Sequence, residues 1–140
     1  MEGPTDDRRE GVRAMSLNVL VVDDSAVMRA MIIKTLEMTG IPLDGVYQAE
    51  NGQQGLEALL SHPIDLGIID INMPVMDGEE MIGRAREHPE LCGVALMVVS
   101  TEGSRTRIDR LIRHGVRFVR KPFTPEVLRD IVSELVGELA

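Results

Sequence analysis

Five short apolar runs punctuate the chain: NVLVV at 18–22, GVYQA at 45–49, DLGII at 65–69, ALMVV at 95–99 and VRFV at 116–119. Several lack polar alternation, the pattern of strands buried on both faces. Such strands need cover above and below, and the segments between them supply it. Met28, Met31, Ile32, Thr35 and Leu36 fall on one helical face, and Val127, Leu128, Ile131, Val132 and Leu135 repeat the pattern near the end. Most of the nine methionines belong to such stripes and read as gap-filling core residues rather than metal or cofactor ligands. Helix punctuation agrees. Asp77 with Glu80 resembles a capping box, Thr124 precedes a first-turn Pro125, and Gly40 and Gly115 stand where helices stop. Strand and helix alternating five times through short loops predicts an α/β doubly wound parallel sheet with helices on both faces, because crossovers between parallel strands are right-handed.

Residues 1–16 are charged, lack apolar periodicity and contain Gly3, Pro4 and Gly11, which predicts a disordered arm; Met15, just before the folded part, makes an alternative start or an added segment as good a reading as a functional tail. Residues 17–140 then form one domain with a single core. A net charge of -8 argues against general affinity for nucleic acid or anionic membrane, since both are themselves negative. The single Cys92 cannot form an internal disulfide, and no apolar segment approaches the roughly 20 residues that span a bilayer. A cytoplasmic location is expected.

The chemistry collects at the strand exits. Strand one runs out into Asp23, Asp24 and Ser25, strand three into Asp70, strand four into Ser100, Thr101 and Glu102, and strand five into Lys121 and Pro122 after Arg120. In a parallel sheet these exits share one edge, where open α/β proteins keep their ligands. Three carboxylates converging there repel one another unless a cation neutralises them. Mg²⁺ suits an all-oxygen site of this kind, with Asp24 and Asp70 as direct ligands and Asp23 acting through water. Lys121 supplies a second positive charge and Ser100 a hydroxyl. Together they balance a phosphoryl group in transfer, leaving Asp70 as the nucleophile that becomes an acyl phosphate. Each group taken singly is more readily a helix cap, a loop acid, a turn serine or a surface lysine; their coincidence at four exits reverses that and carries the reading.

The segments VVDDS, IIDINMPVMDG, VVSTEG and RFVRKPFT resemble the signature segments of receiver domains of two-component response regulators, from about Leu17 onward. The resemblance implies a flavodoxin-like five-stranded sheet of order 2-1-3-4-5. It also implies Asp70 as phosphoacceptor, Asp23 and Asp24 as the Mg²⁺-binding pair, the backbone carbonyl of Asn72 as a further ligand, Ser100 as switch hydroxyl, Lys121 as phosphate-pairing lysine and a cis Lys121–Pro122 bond. Phe118 stands where the family has its rotating aromatic, though a plain core role is also open. Asn72 and Glu102 stand where the family tunes dephosphorylation, in a chemotaxis-like combination that suggests a short-lived phosphoryl group.

The expected function is a phosphorylation-activated switch. It takes its phosphoryl group from a histidine kinase or phosphotransfer protein and acts on a protein partner through the fourth helix, fifth strand and fifth helix. Arg107, Arg110 and Arg113 form an arc on that fourth helix, opposite Ile108, Leu111 and Ile112, which suits either an acidic partner or a solvated face. The chain ends one helix after Lys121, so no DNA-binding or enzymatic output is expected within it, and a receiver cut from a larger regulator or hybrid kinase fits equally. Rival readings fare worse. A haloacid-dehalogenase-type phosphatase needs an acid where Asn72 stands, and a flavin carrier fits poorly with 2% aromatics and an acidic first loop. An unphosphorylated interaction module has no use for a complete site.

Overall fold

The computed structural model describes residues 16–101 and 103–139, so Glu102 and the arm of residues 1–16, Ser16 apart, lie outside the described residues. Five parallel strands alternate with helices: β1 (Leu17–Val22), α1 (Ala26–Glu37), β2 (Leu43–Ala49), α2 (Gly52–Ser61), β3 (Leu66–Ile69), α3 (Gly78–Glu87), β4 (Ala95–Ser100), α4 (Arg105–Arg113), β5 (Arg117–Arg120) and α5 (Pro125–Leu139). The sheet order is β2-β1-β3-β4-β5, the expected one. Strand β2 begins two residues before its apolar run, because Leu43 pairs with Leu17 ahead of a register irregularity.

Alternate side chains of each central strand feed opposite cores. Leu20, Val22, Ile69 and Val98 pack with Met81, Ile82 and Leu111 on the face covered by α2, α3 and α4. Val19, Val21, Ile68 and Val99 pack with Ile32, Leu36, Leu128 and Val132 under α1 and α5. The caps form as the sequence predicts. Thr124 accepts from the Val127 amide and Asp77 from the Glu80 amide, while Gly40 and Gly115 take φ of 80° and 76° just after helices.

The helical stripes are narrower than predicted. Met31 is 56% exposed, Val127 43% and Ile112 53%, so only Ile32 and Leu36 of the α1 stripe and Leu111 of the α4 stripe are fully covered. A helix on one face of a sheet needs a strip about 100° wide, and residues at its margin stay in solvent. The methionines divide likewise: Met73, Met76, Met81 and Met97 are core, whereas Met31 and Met38 are exposed.

Nor is the arginine arc on α4 a bare cationic surface. Arg110 donates from Nε to Glu79 Oε2 at 2.6 Å and from Nη2 to Oε1 at 3.2 Å, and Arg107 Nε donates to the same Oε1 at 3.2 Å. Arg107 also lies 3.7 Å from Asp77. Arg113 is exposed. Glu79 thus ties the start of α3 to α4, and Arg110's hydrogen bonds, aided by Arg107, hold its carboxyl below the ordinary 4.5 against a smaller opposing effect of burial.

The loop between β3 and α3 carries two backbone constraints. Val75 has φ of 68°, the left-handed region that a β-branched residue rarely adopts, and it is 80% exposed. Gly78 donates its amide to the Ile71 carbonyl at 2.7 Å, and a Cβ there would stand 2.2 Å from the Asp70 carbonyl oxygen. Val75→Asn should stabilise the fold by about 1 kcal/mol, since strain is relieved and little burial is lost. Gly78→Ala should destabilise it by about 2 kcal/mol or more, and urea unfolding reads both changes. Glu79 gives a pH signature. Its depressed pKa contributes stability fully present above the unfolded value near 4.5 and lost as pH falls through the lower folded value. Urea midpoints measured from about pH 7 down to about pH 3 should fall less steeply for Glu79→Gln than for the parent over that acid window, by a modest margin because the pairs are partly exposed.

Candidate functional site

Register brings the site together. Val22 pairs with Ile69 as the last rung between β1 and β3, so Asp23 and Asp70 leave the sheet side by side. The ladder then continues past the strand ends: the Asp70 amide donates to the Val22 carbonyl at 2.9 Å and the Asp23 amide to the Ala49 carbonyl at 3.1 Å. Farther along, Ser100 pairs with Arg120, and the Lys121 amide donates to the Ser100 carbonyl at 2.9 Å. Four exits thus meet at one edge, and the Lys121–Pro122 bond is cis.

Asp23, Asp24 and Asp70 each present a carboxylate oxygen within 4.8 Å of the others. Lys121 Nζ stands 3.6 Å from Asp23 Oδ2 and 3.8 Å from Asp70 Oδ1. Asp23 is 1% exposed. Its Oδ1 accepts from the Ser25 amide at 2.9 Å, whereas its Oδ2 is buried without a hydrogen bond, the Lys121 ammonium being too distant to donate one. A buried carboxylate oxygen is ordinarily satisfied, so an orphan facing two further carboxylates fits a hard cation with oxygen ligands. Asp24 is exposed and free to turn toward such an ion. Burial is the largest influence on the Asp70 carboxyl and raises its pKa above 3.8; Lys121 pulls it down, and Asp23 and, more weakly, Asp24 push it up.

The remaining sequence candidates are distributed around this centre. Ser100 is buried at the end of β4. Phe118 is partly buried against the core beneath α4, with the Arg120 guanidinium 5.7 Å from its ring centroid, within cation–π reach. Asn72 is exposed, and its Oδ1 accepts from Arg107 Nη1 at 3.3 Å. Beside Lys121 and Pro122 an apolar cleft of about 300 Å³ is lined by Met28, Met31, Ile32 and Phe123.

Three participants escaped the sequence reading. Arg29 braces the acidic turn by donating to the Asp23 carbonyl at 2.6 Å, while its Nε donates to Gln48 at 2.9 Å. Glu79 and the Arg107 contact to Asn72 are the others, and both join residues 28 or more apart in sequence. No local pattern encodes such pairs; for Arg29 the position one turn into α1 was the only available signal.

The family model described as response regulator receiver domain matches residues 19–133. Over 123 residues the chain is 33% identical to a chemotaxis protein CheY homolog of Campylobacter jejuni, covering 86% of this chain and 93% of that protein. It is 32% identical to chemotaxis protein CheY1 of Helicobacter pylori, covering 86% and 98%. The solved structure of Vibrio cholerae chemotaxis protein CheY4 is similar with a TM-score of 0.74 at 29% identity, covering 86% of this chain and 98% of that one. Receiver domains generally bind Mg²⁺ at an acidic pocket, and Asp23, Asp24 and Asp70 form an acidic cluster in this chain. Sequence and topology agree over most of the chain, which therefore belongs to the receiver-domain family of response regulators.

Proposed function

We propose that this protein is a phosphorylation-activated signalling switch whose phosphoacceptor is Asp70. The observation that carries the reading is the orphaned, buried Asp23 Oδ2 amid three clustered carboxylates with Lys121 Nζ at 3.6–3.8 Å. In the transfer step an Asp70 carboxylate oxygen bonds to phosphorus as the bond from phosphorus to the donor breaks, the donor atom keeping the electron pair. With a histidine kinase or phosphotransfer protein, that atom is an imidazole nitrogen. Lys121 pairs its ammonium with the phosphoryl oxygens, and the Ser100 hydroxyl, one strand over, donates to them. Mg²⁺ would be held by Asp23, Asp24, Asp70 and the Asn72 backbone carbonyl, and when bound it neutralises charge on the transferring group.

The output follows from packing. A Ser100 hydroxyl drawn toward the phosphoryl group vacates volume near Phe118, which sits two strands from Asp70 against the core under α4. Its ring has no hydroxyl, so the response is one of shape at the α4–β5–α5 face, read by a protein partner. On this reading the chain is regulatory rather than a conventional enzyme, works in the cytoplasm and has no nucleic-acid target of its own. Among the described residues no helix is long and apolar enough to cross a membrane.

Incubation with a small phosphodonor and Mg²⁺ should add the mass of one phosphoryl group to the parent and none to Asp70→Asn; an unmodified parent protein overturns the reading. Asp23→Asn should weaken Mg²⁺ binding about tenfold or more, as loss of a supporting carboxylate does at other metal sites. Isothermal titration of the unphosphorylated proteins measures that change.

A further inference from the structure

We infer that Arg107 is a positioning residue for Asn72 and thereby lengthens the life of a phosphoryl group on Asp70. The inference rests on the phosphoacceptor reading above. Asn72 lies two residues beyond Asp70, at the exposed mouth of the site. A guanidinium has only donors, so the carboxamide oxygen must be the atom that faces Arg107, and it accepts from Nη1 at 3.3 Å. Arg107 is itself held. Its Nε donates to Glu79 Oε1 at 3.2 Å and its Nη2 lies 3.7 Å from Asp77 Oδ2. Glu79 is fixed in turn by Arg110 at 2.6 Å. Two anchored ends of one planar fork leave its Nη1 little freedom, so the orientation of Asn72 is set from α4 rather than by its own exposed loop.

The chemical consequence follows from how the acyl phosphate hydrolyses. A water oxygen bonds to phosphorus while the bond from phosphorus to the Asp70 carboxyl oxygen breaks; the carboxylate is restored, and inorganic phosphate leaves carrying both of the water's hydrogens. The attacking water must turn a lone pair toward phosphorus, so its hydrogens need acceptors on the far side. The one acceptor atom in the Asn72 side chain is Oδ1, and the bond from Arg107 Nη1 uses one of its two lone pairs and holds the atom toward α4. Held that way, Asn72 is not free to turn the remaining lone pair toward a water approaching phosphorus. Without the arginine the carboxamide can turn, and its oxygen becomes available to that water.

Decay of the acyl phosphate, followed by mass after removal of the donor, tests this in four proteins: the parent, Arg107→Gln, Asn72→Ala and the double variant. Arg107→Gln should shorten the lifetime about fivefold, the rate equivalent of a single hydrogen bond. The same change in the Asn72→Ala background should have no effect, because the group through which it acts is gone. Far-ultraviolet circular dichroism and urea midpoints would separate a folding defect from a kinetic one, and a lifetime shift that survives in the Asn72→Ala background assigns the effect to structure and overturns the proposal. Equal lifetimes for the parent and Arg107→Gln overturn it as well, leaving the phosphoacceptor reading intact. A parent that gains no phosphoryl group removes both.

Discussion

Three carboxylates within 4.8 Å at the tip of one sheet are the constraint on which the rest of this structure depends. Like charges this close repel one another, and positive charge nearby relieves the cluster. Lys121 supplies part of that charge from β5, two strands away from Asp70. The pKa of Asp70 is raised chiefly by burial; the downward pull of Lys121 comes next, ahead of the upward push of Asp23 and the weaker one of Asp24. A cluster of this kind suits a cation with oxygen ligands. On the reading proposed above a divalent ion and a phosphoryl group suit the site together, because the phosphoryl oxygens would call on the same positive charges as the acids.

The geometry that creates this tension is backbone geometry. Val22 and Ile69 are the last paired residues of their strands, so Asp23 and Asp70 emerge in step, and the Asp70 amide remains tied to the Val22 carbonyl. The loop after Asp70 must then return to α3 within a few residues. Gly78 permits that return, its missing Cβ leaving room for the Asp70 carbonyl, and Val75 absorbs the bend at φ of 68°. The strain falls on an exposed β-branched residue in the loop that follows Asp70.

Much of this was legible in the sequence, and the reasons it was legible mark where it stopped. The unalternated runs around Leu20, Ile68 and Val98 read as central parallel strands, and parallel strands place their exits on one edge; the placing of Asp23, Asp70, Ser100 and Lys121 followed from that. Periodicity was a weaker guide at the margins of helices. Met31 and Val127 lie on the apolar side of their helices by spacing, yet stand in solvent because contact with a sheet covers a narrower strip than the periodic pattern suggests. The arginine arc on α4 was visible, but its meaning was not. Glu79 lies 31 residues before Arg110, and nothing in either segment announces the other, so a row of cations whose acid stands on another helix read as a basic patch. Pairings between elements are decided by how helices pack, and that information is spread over the whole core.

The division of labour between the two kinds of cation is a physical one. The chain has 15 basic residues, and the described arginines repeatedly act as braces: Arg29 on the Asp23 carbonyl, Arg86 on the carbonyls of Val94 and His114, Arg107 and Arg110 on Glu79. A planar fork with fixed donor directions can join two or three acceptors from different elements at once, which a single ammonium on a flexible stem does not do. At the acid cluster the requirement is reversed. On the phosphoacceptor reading proposed above, the partner there must follow an anion that arrives, changes geometry during transfer and later departs, and a rigid fork matched to one arrangement would favour one stage over the others. Lys121, a compact charge 3.6–3.8 Å from two carboxylates without a hydrogen bond to the orphaned oxygen, is near enough to balance charge there and, on that reading, to shift from the acids to a phosphoryl group.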